Sequence, residues 1–391
     1  VDPLRGIPLL QDLPPLEGAR VLVRVDFNVP LHIGVRGQAT VADDFRITAA
    51  LPTLQQLLDE GAEVVAASHL GRPAGERDPR WVMDPVRERL EALCPGVGLA
   101  ENLRFDPGEK ANDPAFVQQL IEGFDAYVNE AFGAAHRAHA SIVGPPRFLP
   151  SAAGLRFARE VEVLGGVLES PARPFVAVVG GAKVADKLEV LKVLATKVDT
   201  LVVGGGMAFT FMAARGQHVG NSLCDQSRLE DCRVLLESGV PILLPTDTRA
   251  LEPGGTFGPA NDGRGSRGSV KVIEGDLPDG WTGLDIGPDS AATFAEAVAG
   301  AGTVLWNGPL GAFEDVRFAG GTRVVAQAVA DSPGFSVVGG GDSASALDEL
   351  GLSDRVDFLS TGGGASLSFI ETEGHLPGID ALRRAPNAPK G

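Results

Sequence analysis

The chain has 391 residues, 44% hydrophobic and 22% charged, with 51 Gly and 28 Pro; this excludes a disordered or collagen-like protein and leaves room for two or three domains with sizeable cores. With 34 Lys and Arg against 51 Asp and Glu the net charge is −17, so the surface as a whole repels nucleic acid and anionic membrane, and an anionic ligand needs a local basic cluster. Three scattered cysteines, Cys94, Cys224 and Cys232, have neither disulfide-framework nor zinc spacing, and no signal-peptide core or unbroken apolar span is evident, so the chain reads as an untargeted cytoplasmic protein.

Taken in chain order, apolar and β-branched runs of strand length fall at 21–25, 64–68, 124–128, 175–179, 201–203, 242–244, 303–306 and 335–338. Helix-period stretches at 46–58, 185–195 and 291–299 lie between them. This alternation predicts an α/β fold of parallel sheets wrapped by helices, and the runs are apolar at consecutive positions, as strands covered on both faces require. Residues 155–168 have helical spacing and are bounded by proline pairs, which predicts one connecting helix. The predicted organisation is an N-terminal domain over 1–154, a connecting helix over 155–170 and a C-terminal domain over 171–375.

In the second half the strands end in glycine: GGAK at 180–183, GGG at 204–206, NGP at 307–309, GGGD at 339–342 and STGGG at 360–364. Ligands of open α/β sheets bind at the carboxyl ends of strands, so five such loops predict backbone kept bare for a bulky, phosphate-bearing ligand. Any one of them alone is equally well a turn. GRGSRG at 263–268 matches the dinucleotide pattern formally, but a Gly/Pro-rich loop precedes it and a predicted strand at 269–273 follows, so it is expected to be a solvent loop. Signatures of P-loop nucleotide sites, zinc proteases and serine hydrolases are missing.

The first half places basic residues at strand ends. Arg46 opens a helix, SHLGRP at 68–73 follows a strand, Arg104 lies in ENLRF at 101–105, and His136, Arg137 and His139 crowd one loop. Convergent arginines would cradle a phosphate by bidentate hydrogen bonds, whereas singly each is a solvated surface residue and His139 is structural. Asp26 and Asn28 either bind hydroxyls or a carboxylate or stabilise a turn. Lys183 and Lys187, four apart, share a face if a helix starts after Gly181, where they either neutralise a phosphate or are merely solvated. Asp342 is placed either to hold magnesium or to cap a helix.

Ten strings, in order, resemble phosphoglycerate kinases: RVDFNVP (24–30), SHLGRP (68–73), ENLRF (101–105), AFGAAHRAHAS (131–141), GGAKVADK (180–187), GGGMAFTF (204–211), DIGP (285–288), WNGPLGAFE (306–314), GGGDS (339–343) and STGGGASL (360–367). The resemblance implies two Rossmann-like, doubly wound domains joined by a helix and hinge, with residues 376–391 packing back on the first. It implies reversible, in-line phosphoryl transfer from 1,3-bisphosphoglycerate to ADP, giving 3-phosphoglycerate and ATP, after domain closure in a monomer that binds neither nucleic acid nor membrane.

By the same resemblance Asp26, Asn28, Arg46, His69, Arg72, Arg104 and Arg137 hold the glycerate and its phosphate. Gly181, Ala182, Lys183, Lys187, Gly205, Gly206, Gly283, Leu284, Asn307, Pro309, Glu314, Gly340, Gly341, Asp342 and Ser343 serve the nucleotide, with magnesium on Asp342. Arg46, Lys183 and Lys187, together with the amides of Gly362, Gly363 and Gly364, stabilise the transferring phosphoryl. Departures from the family pattern are Glu130 in place of Asp, Ser368 in place of an acidic residue, and the stretch 370–374. The alternative is a nucleotide-binding protein of the same fold without turnover.

Overall fold

The computed structural model describes residues 2–34, 37–258 and 266–389. It resolves into two compact units, Val1–Gly165 with Thr372–Gly391, and Gly166–Glu371.

Unit 1 contains β1 (Arg20–Arg24), a small antiparallel pair of β2 (Leu31–Ile33) and β3 (Ala39–Val41), then β4 (Glu63–Ala67), β5 (Gly98–Leu99), β6 (Ala126–Asn129) and β7 (Ser151–Ala153). Its main sheet is parallel throughout, in the order β5-β4-β1-β6-β7. Helix Phe45–Asp59 buries Ile47, Leu54 and Leu57 in the same core as Val21, Val23, Val64 and Ala66. Each such side chain contributes roughly 1.5–3 kcal/mol on leaving water. The last residues belong to this unit: Gly378 N donates to Ala135 O at 2.9 Å, and Asn387 bridges the backbone N and O of Ser151.

Unit 2 contains β8 (Phe175–Val179), β9 (Thr200–Val203), β10 (Ile242–Leu243), β11 (Asp247–Leu251), β12 (Val270–Glu274), β13 (Thr282–Ile286), β14 (Thr303–Asn307), β15 (Phe335–Gly339) and β16 (Phe358–Leu359). Its parallel sheet runs β10-β9-β8-β14-β15-β16, beside an antiparallel sheet β12-β11-β13. Val179 pairs with Val203 and with Asn307, and Asn307 with Gly339. Four glycine-bearing loops therefore leave the sheet at one level.

Eight of the parallel strands lie within two residues of the predicted runs, while the two- and three-residue strands β5, β7 and β16 match none of those runs. Of the antiparallel sheet, β12 was predicted as the strand over 269–273, whereas β11 (DTRAL) and β13 (TGLDI) were not, because polar and charged residues interrupt their apolar runs. Of the GRGSRG string, residues 263–265 lie outside the described residues; Ser266 Oγ donates to Asp315 Oδ2 at 2.8 Å, and the strand β12 follows rather than a helix.

The predicted helix over 185–195 needs correction. It is a 3-10 turn, Val184–Asp186, followed by helix Leu188–Ala195, with Lys187 at the junction in a non-helical conformation. Lys183 and Lys187 thus do not share one face of a single helix.

The connecting helix Leu155–Glu169 begins on Glu130, whose buried carboxylate accepts from the amides of Arg156 and Phe157 at 3.1 and 3.0 Å and from Thr53 Oγ1 at 2.5 Å. A Cβ on Gly154 would stand 2.1 Å from Glu130 Oε2, so the bare glycine leaves room for the glutamate side chain. Burial pushes this carboxyl up to about 7, against the hydrogen bonds that pull it down.

Candidate active site

In unit 1, Arg24 pairs with Ala67 on one side and with Asn129 on the other, so the loops that follow β1, β4 and β6 leave the sheet together. Asn102 ties the turn Leu103–Phe105 to the loop after β4, accepting from Leu70 N at 3.2 Å and donating to Leu70 O at 2.8 Å. Arg104 then reaches Gly71 O at 2.7 Å, and Asn28 Oδ1 accepts from Gly71 N at 2.8 Å. Asp26 forms an ion pair with Arg46 at 2.5 Å. Burial pushes the Asp26 carboxyl up, but the charges of Arg46 and Arg24 outweigh it and hold the group below its ordinary range.

Burial pulls His69 well below the ordinary histidine value, and Arg24, Arg104 and Arg46 push the same way against Asp26. The ring is therefore neutral. Burial and Arg104 and Arg137 bring His139 down to about 4, while burial and Arg137 lower His136. Arg104, only 5% exposed, is itself brought down to about 10 by burial and by Arg137 and Arg24. Its Nε and the Nδ1 of His136 are buried without a hydrogen-bond partner. Arginines that crowd one another and still hold unspent donors are built for an anion of more than one charge.

In unit 2 a cavity of about 340 Å³ opens at the carboxyl ends of β8, β14 and β15. Six of the fifteen residues in its wall are glycines, Gly181, Gly308, Gly340, Gly341, Gly363 and Gly364. At Gly308 the backbone has φ +92, and a Cβ would stand 2.5 Å from Gly180 O and 2.6 Å from Lys187 Nζ, so only glycine fits. Lys187 Nζ donates to Gly180 O at 2.7 Å, to Asn307 Oδ1 at 2.6 Å and to Asn307 O at 3.2 Å. Burial brings its ammonium down to about 8, with Asp342 and Asp186 opposing.

Helix Gly341–Glu349 starts at the cavity wall, with Gly340 as its cap and Asp342 exposed inside its first turn, which removes the capping alternative for Asp342. Ser343 Oγ accepts from Gly308 N at 2.7 Å. Helix Gly364–Glu371 also starts at the cavity wall, so two positive helix ends meet the same space.

The sequence profile of the family described as Phosphoglycerate kinase matches residues 10–373. The chain belongs to the phosphoglycerate kinase family. Among its relatives are the phosphoglycerate kinases of Moorella thermoacetica, 47% identical over 95% of this chain and 98% of the relative, and of Rubrobacter xylanophilus, 49% identical over 94% and 96%. The phosphoglycerate kinase structure from Coxiella burnetii superposes with a TM-score of 0.82, at 37% identity, over 96% of this chain and 98% of that one. The chain is accordingly an α/β phosphotransferase of glycolysis that uses a nucleotide and moves phosphate to or from the carboxyl group of phosphoglycerate.

Within unit 1 the candidate residues Asp26, Arg46, His69, Arg104 and Arg137 lie in one electrostatic cluster, Asn28 braces its loop, and Arg72 is exposed, with no contact to the cluster observed among the described residues. Within unit 2 the cavity gathers Gly181, Ala182, Lys183, Lys187, Asn307, Pro309, Gly340, Gly341, Asp342, Ser343, Gly363 and Gly364. Gly205, Gly206, Gly283, Leu284, Glu314 and Gly362 are not in its wall. A Cβ on Gly205 would come within 2.7–2.9 Å of the backbone of Gly181 and Pro309, which makes close loop packing its observed role. The Gly362 amide is already engaged by Ser360 Oγ at 3.0 Å. Sequence reasoning passed over Arg24, Glu109 and Ser141 in unit 1 and Asp186 in unit 2. Arg24, Ser141 and Asp186 stand inside the quoted strings, and a charged residue ending an otherwise apolar strand was the available signal for Arg24.

Proposed function

We propose that the chain catalyses reversible phosphoryl transfer between 1,3-bisphosphoglycerate and ADP, giving 3-phosphoglycerate and ATP, with the glycerate on unit 1 and the nucleotide on unit 2. The observation that carries this division is the contrast between a buried arginine cluster with unspent donors and a glycine-walled cavity holding a lysine. Asp26, Asn28, Arg46, His69, Arg72, Arg104 and Arg137 hold the glycerate and its phosphate, charge meeting charge through forked guanidinium donors. The wall residues of unit 2 hold the diphosphate, while Gly205, Gly206, Gly283, Leu284 and Glu314 serve the adenosine end. Leu223, exposed and beside Gly206, supplies an apolar surface there.

Transfer forms a bond from phosphorus to an ADP oxygen as the bond to the glycerate carboxyl breaks, so no general base is required. What the protein provides is in-line positioning and positive charge around the equatorial oxygens. Arg46, Lys183 and Lys187 supply that charge, joined by main-chain donors at Gly363 and Gly364. With Gly362 occupied by Ser360, its contribution requires that bond to open. Magnesium takes oxygen ligands and keeps several waters, so a single carboxylate beside phosphates fits it, and Asp342 would hold it. When bound, the ion neutralises phosphate charge.

Substrates held on different units have to meet, so closure about the connecting helix precedes transfer and excludes water from the acyl phosphate. The free, scattered cysteines support a reducing cytoplasm as the chain's compartment, and a monomer is what the family resemblance implies. The test is ATP formation by purified protein from magnesium, ADP and 1,3-bisphosphoglycerate, with Lys187→Ala as control. Rapid formation lost in the variant supports the proposal, and absence of turnover alongside normal ADP binding refutes it.

A further inference from the structure

We propose that Glu109 and Ser141 are positioning residues for the phosphoglycerate site, acting through Arg24 to set which nitrogen of His69 carries the proton. This rests on the proposed contact between His69 and the glycerate ligand.

Arg24 ends β1 and is 1% exposed, a position where a guanidinium has to be paired throughout. Glu109, on helix Pro107–Ala111, is fully buried, and its carboxylate accepts from Ser141 Oγ at 2.6 Å and from Ser141 N at 2.9 Å. A carboxylate at these distances only accepts, so the hydroxyl proton of Ser141 is committed to Glu109 and its lone pair faces outward. That lone pair receives Arg24 Nε at 2.8 Å. Tyr127 holds the serine in place, donating from its hydroxyl to Ser141 O at 2.7 Å.

With Nε fixed by Ser141 and one terminal nitrogen given to Val25 O, the other terminal nitrogen of Arg24 lies 3.1 Å from Nδ1 of His69. A guanidinium cannot accept, so Nδ1 must, and a neutral ring then carries its proton on Nε2. In that tautomer the ring has a donor left for an anion. In the other it would present a lone pair and repel one. Four residues from four segments thus fix one proton.

The test labels histidine with ¹⁵N and records the tautomer of His69 in the full-length protein, alongside steady-state kinetics with ATP and 3-phosphoglycerate. The wild type shows the Nε2-protonated form. Ser141→Ala mixes the tautomers and raises KM for 3-phosphoglycerate about tenfold, the loss of one hydrogen bond to a charged group, leaving kcat within about twofold and KM for ATP unchanged. Glu109→Gln, of equal size, moves both readouts in the same direction and serves where Ser141→Ala does not fold. An unchanged tautomer together with unchanged KM in a folded variant overturns the proposal. His69→Ala separates the two levels: if it leaves KM for 3-phosphoglycerate unaltered, the assignment of His69 to the substrate fails as well.

Discussion

The basic cluster of unit 1 is assembled from side chains, with guanidinium groups bonded to a serine, a histidine and backbone carbonyls before any ligand arrives. The cavity of unit 2 is rich in glycine backbone, and its buried lysine is tied to the carbonyl oxygens of Gly180 and Asn307 and to the Asn307 side chain. The difference suits the two tasks. A small anion of fixed shape is recognised by pre-oriented forks, whereas a bulky polyphosphate needs space, helix ends and a charge that can move onto the reacting group. Side-chain substitutions should therefore damage affinity in unit 1, and should damage turnover in unit 2.

The largest expected effect is at Lys187. Replacement by alanine should lower kcat by about 10³-fold or more with little change in ADP affinity. Equal loss in both, measured by rapid-mixing kinetics and calorimetry, would make Lys187 a binding group and erase the contrast. Next, Arg104→Met should weaken 3-phosphoglycerate binding by about 10²-fold and leave magnesium-ADP binding unchanged, because it removes a buried cation and its unspent donor. Asp342→Asn should raise the magnesium concentration needed for half-maximal rate by about tenfold, and an unaltered magnesium dependence would remove its role.

The pH dependence sharpens the comparison further. The Lys187 ammonium sits at about 8 in the fold against 10.5 in the open chain, so the free enzyme loses this cation as pH rises through 8. kcat/KM for ADP should fall above about pH 8, while kcat, measured with phosphates beside the lysine, should hold to higher pH. His69 is already neutral, so no matching limb near pH 6.5 should appear for 3-phosphoglycerate. The smallest effect is on folding: Gly308→Ala, forced into φ +92 against Gly180 O, should cost about 1–3 kcal/mol by thermal denaturation.

Much of this was legible in the sequence because parallel strands buried on both faces are continuous apolar runs, and because loops after such strands carry the ligand. The same logic found Arg46, His69, Arg104 and Lys187. What it could not find depends on distance through space. Glu109 and Ser141 are 32 positions apart, and nothing local marks a buried carboxylate on a five-residue helix. The break at Lys187 escaped for a similar reason: residues 185–195 are helical by pattern, but the lysine's hydrogen bonds to Gly180 and Asn307 accompany an irregular turn. The close packing of Gly205 on Gly181 and Pro309 was not legible either, since a glycine string looks alike whether it packs or binds.

The division of labour itself is tested most directly by backbone amide NMR with each ligand added alone. 3-Phosphoglycerate should shift amides around Asp26, His69, Arg104 and Arg137 only, and magnesium-ADP those around Gly181, Asn307, Gly340 and Gly363 only. Both ligands shifting the same unit would contradict the assignment of one substrate to each.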